Sequence, residues 1–160
     1  MNPSKVIIAL KDALNLSRPQ ILSLYNLVSY PMSKERLDRI LKNPSNKRSI
    51  AATYEELGLF LDALILHKRK ESLKSTNSDE EIELTNNLIL KKIRVALNLK
   101  EYEIAIIFEL VDFKISKSKI KDLFRSPKHP KYVECDDKTL FAFLEGLNEF
   151  YFDGGEVDKL

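Results

Sequence analysis

Three kinds of residue in this 160-residue chain have side chains suited to chemistry. Acids stand together at Glu55-Glu56, Asp79-Glu80-Glu81 and Asp136-Asp137. Paired carboxylates serve as general acid and base when their surroundings drive the two pKa values apart. Each group, however, falls where a helix is expected to begin, and there unpaired backbone N–H groups favour negative charge without any catalysis. The two histidines, His67 and His129, have no partner at metal-ligand spacing, and His67 near a helix end suits the last carbonyls. The single cysteine, Cys135, precedes a predicted N-cap at Asp136, where a helix dipole lowers a thiol pKa. No base accompanies it, so a packing role is expected, with a redox-responsive thiol as the alternative. One cysteine allows neither an intramolecular disulfide nor a cysteine zinc cage. The chain has no Gly-rich phosphate loop, nucleophile elbow or His-Glu-x-x-His. The expectation is a protein that is not an enzyme and uses no cofactor and no metal.

Charge is distributed unevenly. Lys34 to Arg48 holds six basic and two acidic residues, a net of +4, and Lys114 to Lys131 holds seven and one, a net of +6. The whole chain is +2, so the remainder carries −8. Such stretches meet phosphates or an acidic protein, or they are solvated lysine-rich faces. The candidate contacts are Arg39, Lys42, Lys47 and Arg48 in the first stretch, with Lys121, Arg125, Lys128 and Lys131 in the second. The run Ile115–Ile120 is similar to the start of a repressor recognition helix. Eleven positions separate Ala105 from Ser116, too many for the tight turn of that motif.

The elements that hold these residues are written twice. The letters ALNL occur at Ala13–Leu16 and at Ala96–Leu99, and an offset of 83 aligns far more than those four. Leu10 meets Ile93, Ile21 meets Ile104, and Leu24-Tyr25 meets Ile107-Phe108. Ser33-Lys34 meets Ser116-Lys117, Leu37 meets Ile120, and Pro44 meets Pro127. Leu57, Phe60, Leu61 and Leu64 meet Leu140, Phe143, Leu144 and Leu147. No gap is needed from Ser4 to Arg69, and the matched positions follow a helical rhythm. The chain is read as a tandem duplication.

Each copy reads as four helices. Asn2-Pro3 starts the first, with Val6, Leu10, Ala13 and Leu14 as its apolar stripe. Ser17-x-x-Gln20 is a capping box for the second, which Pro31 ends. Ser33 caps a short third helix carrying Leu37, Ile40 and Leu41, stopped by Pro44. Thr53-x-x-Glu56 is a second capping box, opening the fourth. The second copy is expected at 86–98, 101–112, 117–125 and 136–152. Residues 1–70 and 85–153 form the two units, joined by a polar linker over 71–84 and followed by a frayed tail over 154–160. Ser78 and Glu81 offer a cap for an early extension of the fifth helix. A unit of about 65 residues is marginal alone, so the copies are expected to pack with pseudo-two-fold symmetry, with Leu59, Ile65 and Leu66 at the contact. Phe150, Tyr151 and Phe152 cannot all face one way, so part of that surface should seek the other copy or a partner.

Composition agrees with an all-α protein. Only 4 Gly and 6 Pro are present, too few turn residues for a many-stranded sandwich, and 44% hydrophobic residues are too many for disorder. Near the amino terminus an apolar run of five residues precedes Lys11, shorter than a secretory signal and far from the roughly 20 residues that span a bilayer. A cytoplasmic protein with no membrane partner is expected.

The second copy carries Arg94-x-Ala96-Leu97-x-Leu99, the short helix after Ile115-Ser116, Cys135-x-Asp137-x-x-Leu140, and Phe143-Leu144-x-Gly146-Leu147. These features resemble the repeat unit of the YehS-like bacterial family of unknown function, whose members are similar to this chain in length and carry two such units. The first copy matches more loosely, with Ala52 in place of Cys135 and Ala63 in place of Gly146. The resemblance implies a duplicated helical fold and brings no reaction, ligand or partner. The functional expectation is a non-catalytic binding or adaptor protein that recognises a macromolecule, either a protein or, through the paired basic surfaces, a nucleic acid. The sequence leaves the oligomeric state open.

Overall fold

The computed structural model describes residues 1–69 and 83–152. The acids Asp79, Glu80 and Glu81, the expected Ser78 cap and the tail lie outside the described residues. Among the described residues there are eight helices and no strand. They are α1 (Pro3–Leu14), α2 (Arg18–Leu27), α3 (Lys34–Ile40), α4 (Tyr54–Arg69), α5 (Asn86–Leu97), α6 (Glu101–Leu110), α7 (Lys117–Leu123) and α8 (Asp137–Phe152).

The repeated ALNL marks a helix end. Asn15 and Asn98 sit in the left-handed region at φ 53° and 51°, a conformation that Asn adopts at low cost. The next residue bonds back to the last turn: Leu16 N–H donates to the Lys11 carbonyl (2.9 Å), and Leu99 N–H to that of Arg94 (3.0 Å). Both leucines are buried, which draws the chain into the core. The ends of α2 and α6 repeat the device, with Ser29 (φ 58°) and Asp112 (φ 54°) left-handed. There Tyr30 N–H bonds the Tyr25 carbonyl (2.9 Å) and Phe113 N–H that of Phe108 (3.0 Å). These left-handed caps stop α5 and α6 short of the expected 98 and 112. Phe124 caps α7, ending it before 125. Asp136 stands outside α8 because its Oδ1 accepts the Thr139 N–H (2.7 Å).

The starts are as regular. Ser17 and Gln20 form a reciprocal capping box (3.2 and 2.8 Å). Ser33 and Ser116 each accept an N–H three residues on, at 3.1 Å.

Helix packing interlocks the units. The first helix of each lies along the last helix of the other, α1 on α8 and α5 on α4. Within the units, α2 packs on α4 and α6 on α8, with α3 and α7 beside α2 and α6. The units thus exchange neighbours, each first helix lying on the other unit's last. The amino-terminal ends of the four central helices meet. Tyr54 Oη donates to the Met1 carbonyl (3.3 Å), the Met1 ammonium lies 3.3 Å from Asp137, and Asn86 donates to Asp137 (2.8 Å). Further along the α4–α5 contact, Lys92 pairs with Asp62. Leu59, Ile65 and Leu66, expected at the contact between copies, are half-buried on α4.

One core runs through both units. Val6, Ile7, Leu10, Ile21, Tyr25, Leu57, Phe60 and Leu61 from the first join Ile89, Ile93, Ile104, Ile107, Phe108, Leu140, Phe143 and Leu147 from the second. Aromatic pairs recur at the 83-residue offset: Tyr25 with Phe60 at 6.0 Å between ring centroids, and Phe108 with Phe143 at 5.7 Å. Of the terminal aromatics, Phe150 and Tyr151 stack edge to face at 5.4 Å, while Phe152 is 83% exposed. No described helix is long and apolar enough to cross a membrane.

Candidate functional site

The acids that looked available for chemistry are engaged in holding the fold. Glu56, expected only as a capping residue, is fully buried. Its Oε1 accepts the Thr53 N–H (2.9 Å), completing the capping box. The Arg36 guanidinium grips it with two parallel hydrogen bonds of 2.7 Å each, and Tyr30 Oη donates to Oε2 (3.0 Å). Tyr25 Oη bonds the Glu56 carbonyl at 2.9 Å. Burial raises the Glu56 carboxyl, but the hydrogen bonds from Arg36, the Thr53 backbone and Tyr30 outweigh it and hold the pKa at about 2. Burial and the nearby Glu56 charge push the Tyr25 phenol well above its ordinary value. Asp136 caps α8, and Asp137 receives hydrogen bonds from Asn86 and the amino terminus, which lower its pKa. Of these four acids only Glu55 has no structural task beyond placing charge in the first turn of α4.

His129 has a backbone role. Its Nδ1 accepts the Lys131 N–H (3.0 Å), as Asn46 Oδ1 accepts the Arg48 N–H (2.8 Å) at the matching position. Cys135 is buried, and its thiol lies 3.4 Å from the Asp136 carbonyl. Burial, then the charges of Asp136 and Asp137, push the thiol pKa up to about 12. That direction is the reverse of the one a helix N-terminus alone would give, and it keeps the group a thiol at neutral pH. No group of three His, Cys, Asp or Glu among the described residues is arranged to hold a metal ion.

A second buried polar device serves the loops that carry the basic residues. Ser4 on α1 accepts the Ala52 N–H (2.6 Å) and donates to the Ile50 carbonyl (3.3 Å). Asn87 on α5 does the same work with more bonds. It accepts the Cys135 N–H (2.9 Å) and donates to the carbonyls of Leu123 (2.9 Å) and Val133 (2.8 Å). The loops after α3 and α7 are thereby pinned in the same shape.

On those loops and the helices before them, α3 with Arg39 and α7 with Lys121, the eight candidate cations do not form two identical sets. Lys47, Arg48, Lys121, Lys128 and Lys131 are exposed. Arg39, also exposed, turns its Nε onto the Arg48 carbonyl (2.9 Å). Arg125 is half-buried and paired with Asp122 at 2.8 Å, which spends its charge locally. At the 83-residue offset Lys42 matches Arg125 and Arg48 matches Lys131, but Arg39 matches Asp122, Lys121 matches Asp38, Lys47 matches Pro130 and Lys128 matches Ser45. Duplication copied the loop geometry and only part of its charge.

One grouping was not legible in the sequence. A groove of about 540 Å³ lies between α1 and the loop after α3, lined by Lys5, Lys11 and Arg18, with Asp12 as its acid and Ile8, Ala9 and Leu41 among its apolar residues. The three cations come from α1 and the start of α2, outside the basic run; folding brings them beside Leu41, Asn43 and Pro44, and Arg18 is paired with Asp38 at 2.7 Å. At the matching place in the second unit, Phe124 replaces Leu41 and Arg94 replaces Lys11, and the guanidinium stacks 4.9 Å from the ring centroid.

Residues 5–70 and 86–151 each match the family model described as "Protein of unknown function (DUF1456)". The chain is 36% identical over 91 residues to "Uncharacterized protein YehS" of Escherichia coli (strain K12), an alignment covering 57% of this chain and 58% of that protein. No solved structure matches the chain. With two family units spanning most of its length, and a YehS relative where the residue pattern pointed, this chain belongs to the DUF1456 family.

Proposed function

We propose that this protein is a non-catalytic helical binding module that recognises a macromolecular partner through its outer surface. One observation carries the reading. Among the described residues, every buried side-chain polar atom has a partner within the protein, and Glu56, Asp136, Asp137, His129 and Cys135 each make a hydrogen bond within the fold. Capture of partners from the native cell, with and without nuclease, tests the reading and separates protein partners from nucleic-acid bridging. Turnover of any substrate that depends on Cys135 or His129 overturns it. A cytoplasmic setting goes with this reading, because the one cysteine is kept as a buried thiol.

A second reading, nucleic-acid binding, is favoured by the groove, where Lys5 and Lys11 gather beside the loop after α3 and Arg18, paired with Asp38, adds a third cation. These residues, with Lys42, Arg48, Lys128 and Lys131 on the loops, would contact phosphates. Affinity would be about micromolar and steeply salt-dependent. Lys42→Glu and Lys131→Glu would each lower the slope of log affinity against log salt by about one. Absence of binding to DNA and RNA at low salt removes this reading.

A further inference from the structure

Helix α6 is apolar on two sides. Ile104, Ile107 and Phe108 are buried toward the core, while Tyr102, Ile106 and Leu110 point outward with 65%, 39% and 40% of their surface exposed. The outward three are spaced i, i+4, i+8, so they form one continuous stripe along the helix. A helix apolar all round is ordinarily covered on both sides. The corresponding face of α2 carries Pro19, Ser23 and Leu27, a single large apolar residue. Shared ancestry therefore does not account for the stripe; it is particular to the second unit.

Its charged neighbours are mainly acidic, with Lys100 the cation at its N-cap. Glu101, Glu103 and Glu109 are the only ionisable groups on α6 apart from Tyr102, and Asp112 follows directly. At the carboxyl end of the helix a hollow of about 630 Å³ is lined by Glu109, Asp112, Phe113 and Ile115, with Lys114 its one cation. The first unit has Asn26 and Ser29 where the second has Glu109 and Asp112. Glu109 lines the hollow and precedes Leu110 of the stripe, so hollow and stripe adjoin.

We propose that the outer face of α6, with the hollow at its carboxyl end, is the docking site for a basic amphipathic helix of a partner protein. The proposal rests on the binding-module reading and names the partner's chemistry. Apolar side chains of the partner lie over Tyr102, Ile106 and Leu110, and its lysines or arginines meet Glu101, Glu109 and Asp112. A second copy of this chain is disfavoured on two counts. Two α6 faces brought together by a two-fold would oppose their own acids, and three partly exposed side chains supply far less than the roughly 800 Å² per partner of a stable dimer.

The test uses the whole chain as bait for a displayed library of random peptides about four helical turns long. Enriched peptides should carry apolar residues at i, i+3 or i+4, and i+7, together with Lys or Arg. They should bind Ile106→Glu and Glu109→Lys about tenfold more weakly, while Pro19→Ala on the matching face of α2 leaves binding unchanged. All three positions are exposed, so thermal melting serves as the folding control. No enrichment, enrichment of uncharged or acidic peptides, or equal binding to the α6 variants overturns the proposal. So does self-association in sedimentation that Ile106→Glu abolishes, which would assign the face to a second copy. Any of these leaves nuclease-resistant capture by the wild-type chain intact, so failure here is distinct from failure of the binding-module reading.

Discussion

The two units place the same helices around the same aromatic pairs, yet they solve one buried problem by opposite chemistry. In the first, the cluster is Tyr25, Tyr30, Arg36, Thr53 and Glu56, built around a carboxylate sealed from water. In the second, the same positions hold Phe108, Phe113, Lys119, Asp136 and Thr139. There the rings of Phe108 and Phe113 pack 5.4 Å apart, and the cap keeps its direction, Asp136 accepting the Thr139 N–H as Thr53 accepts that of Glu56, without a carboxylate reaching back. The backbone accommodates both because each unit keeps an N-cap acceptor for its last helix, Thr53 in one and Asp136 in the other. What the comparison teaches is interdependence. A buried carboxylate is tolerable only with its full set of donors, so the five positions differ together and a half-converted cluster is worse than either parent.

The sharpest way to break the symmetry is Arg36→Ala, which leaves Glu56 buried and unpaired. A loss of about 3–5 kcal/mol in chemical denaturation is expected, against less than about 0.5 kcal/mol for Lys119→Ala. Next comes the helix contact at Gly146. A Cβ there would lie 2.1 Å from the Ile107 carbonyl oxygen, a backbone atom that cannot move aside. Gly146→Ala should cost about 3 kcal/mol by forcing α6 from α8, whereas Ala63→Gly at the matching site costs about 1 kcal/mol of helix propensity.

Acid should reveal the ion pair. The folded Glu56 carboxyl titrates at about 2, below its ordinary 4.5, so the unfolded chain binds more protons between those values. Its stabilisation is therefore fully present above about pH 4.5 and is lost as pH falls toward about 2. With the half-exposed Arg36 screened by solvent, this amounts to about 2 kcal/mol. Glu56→Gln should flatten the acid limb of stability against pH to the slope left by Asp136 and Asp137, both also lowered.

The loop pins sharpen the comparison at smaller scale. Asn87→Ala removes three hydrogen bonds and should cost about 2 kcal/mol, and Ser4→Ala removes two and about 1 kcal/mol. Amide hydrogen exchange should localise the loss to the loop beyond α7 in one variant and beyond α3 in the other. Smallest and opposite in sign, Ser29→Gly should raise stability slightly, by about 1 kcal/mol or less, read as a higher melting temperature. Ser29 holds φ 58° without the freedom of glycine, whereas Asp112 at the matching site tolerates that region better.

Much of the fold was legible in the residues because its signals are local. The apolar period, the Ser17 and Thr53 capping boxes and the repeated ALNL all act within one helical turn, and the structure carries each of them. Glu56 was read as a cap and nothing more, since Arg36 lies 20 positions away and no local pattern joins them. The offset comparison did hold a trace: Arg36 and Glu56 are a charge pair whose partners, Lys119 and Thr139, are not. The basic runs and the acids that dilute them, Asp122 included, were visible, but the approach of Lys5, Lys11 and Arg18 to the loop after α3 was not.

What the amino-acid order determined by itself was a helical unit written twice, because helix starts, stops and apolar faces depend on residues a few positions apart. Tertiary structure alone decided that the units exchange neighbours, that one acid is buried while the adjacent one is free, and that the outer side of α6 is left uncovered. Those outcomes depend on contacts between residues tens of positions apart, and burial, which sets the strength of every charge and hydrogen bond, exists only once the helices have packed.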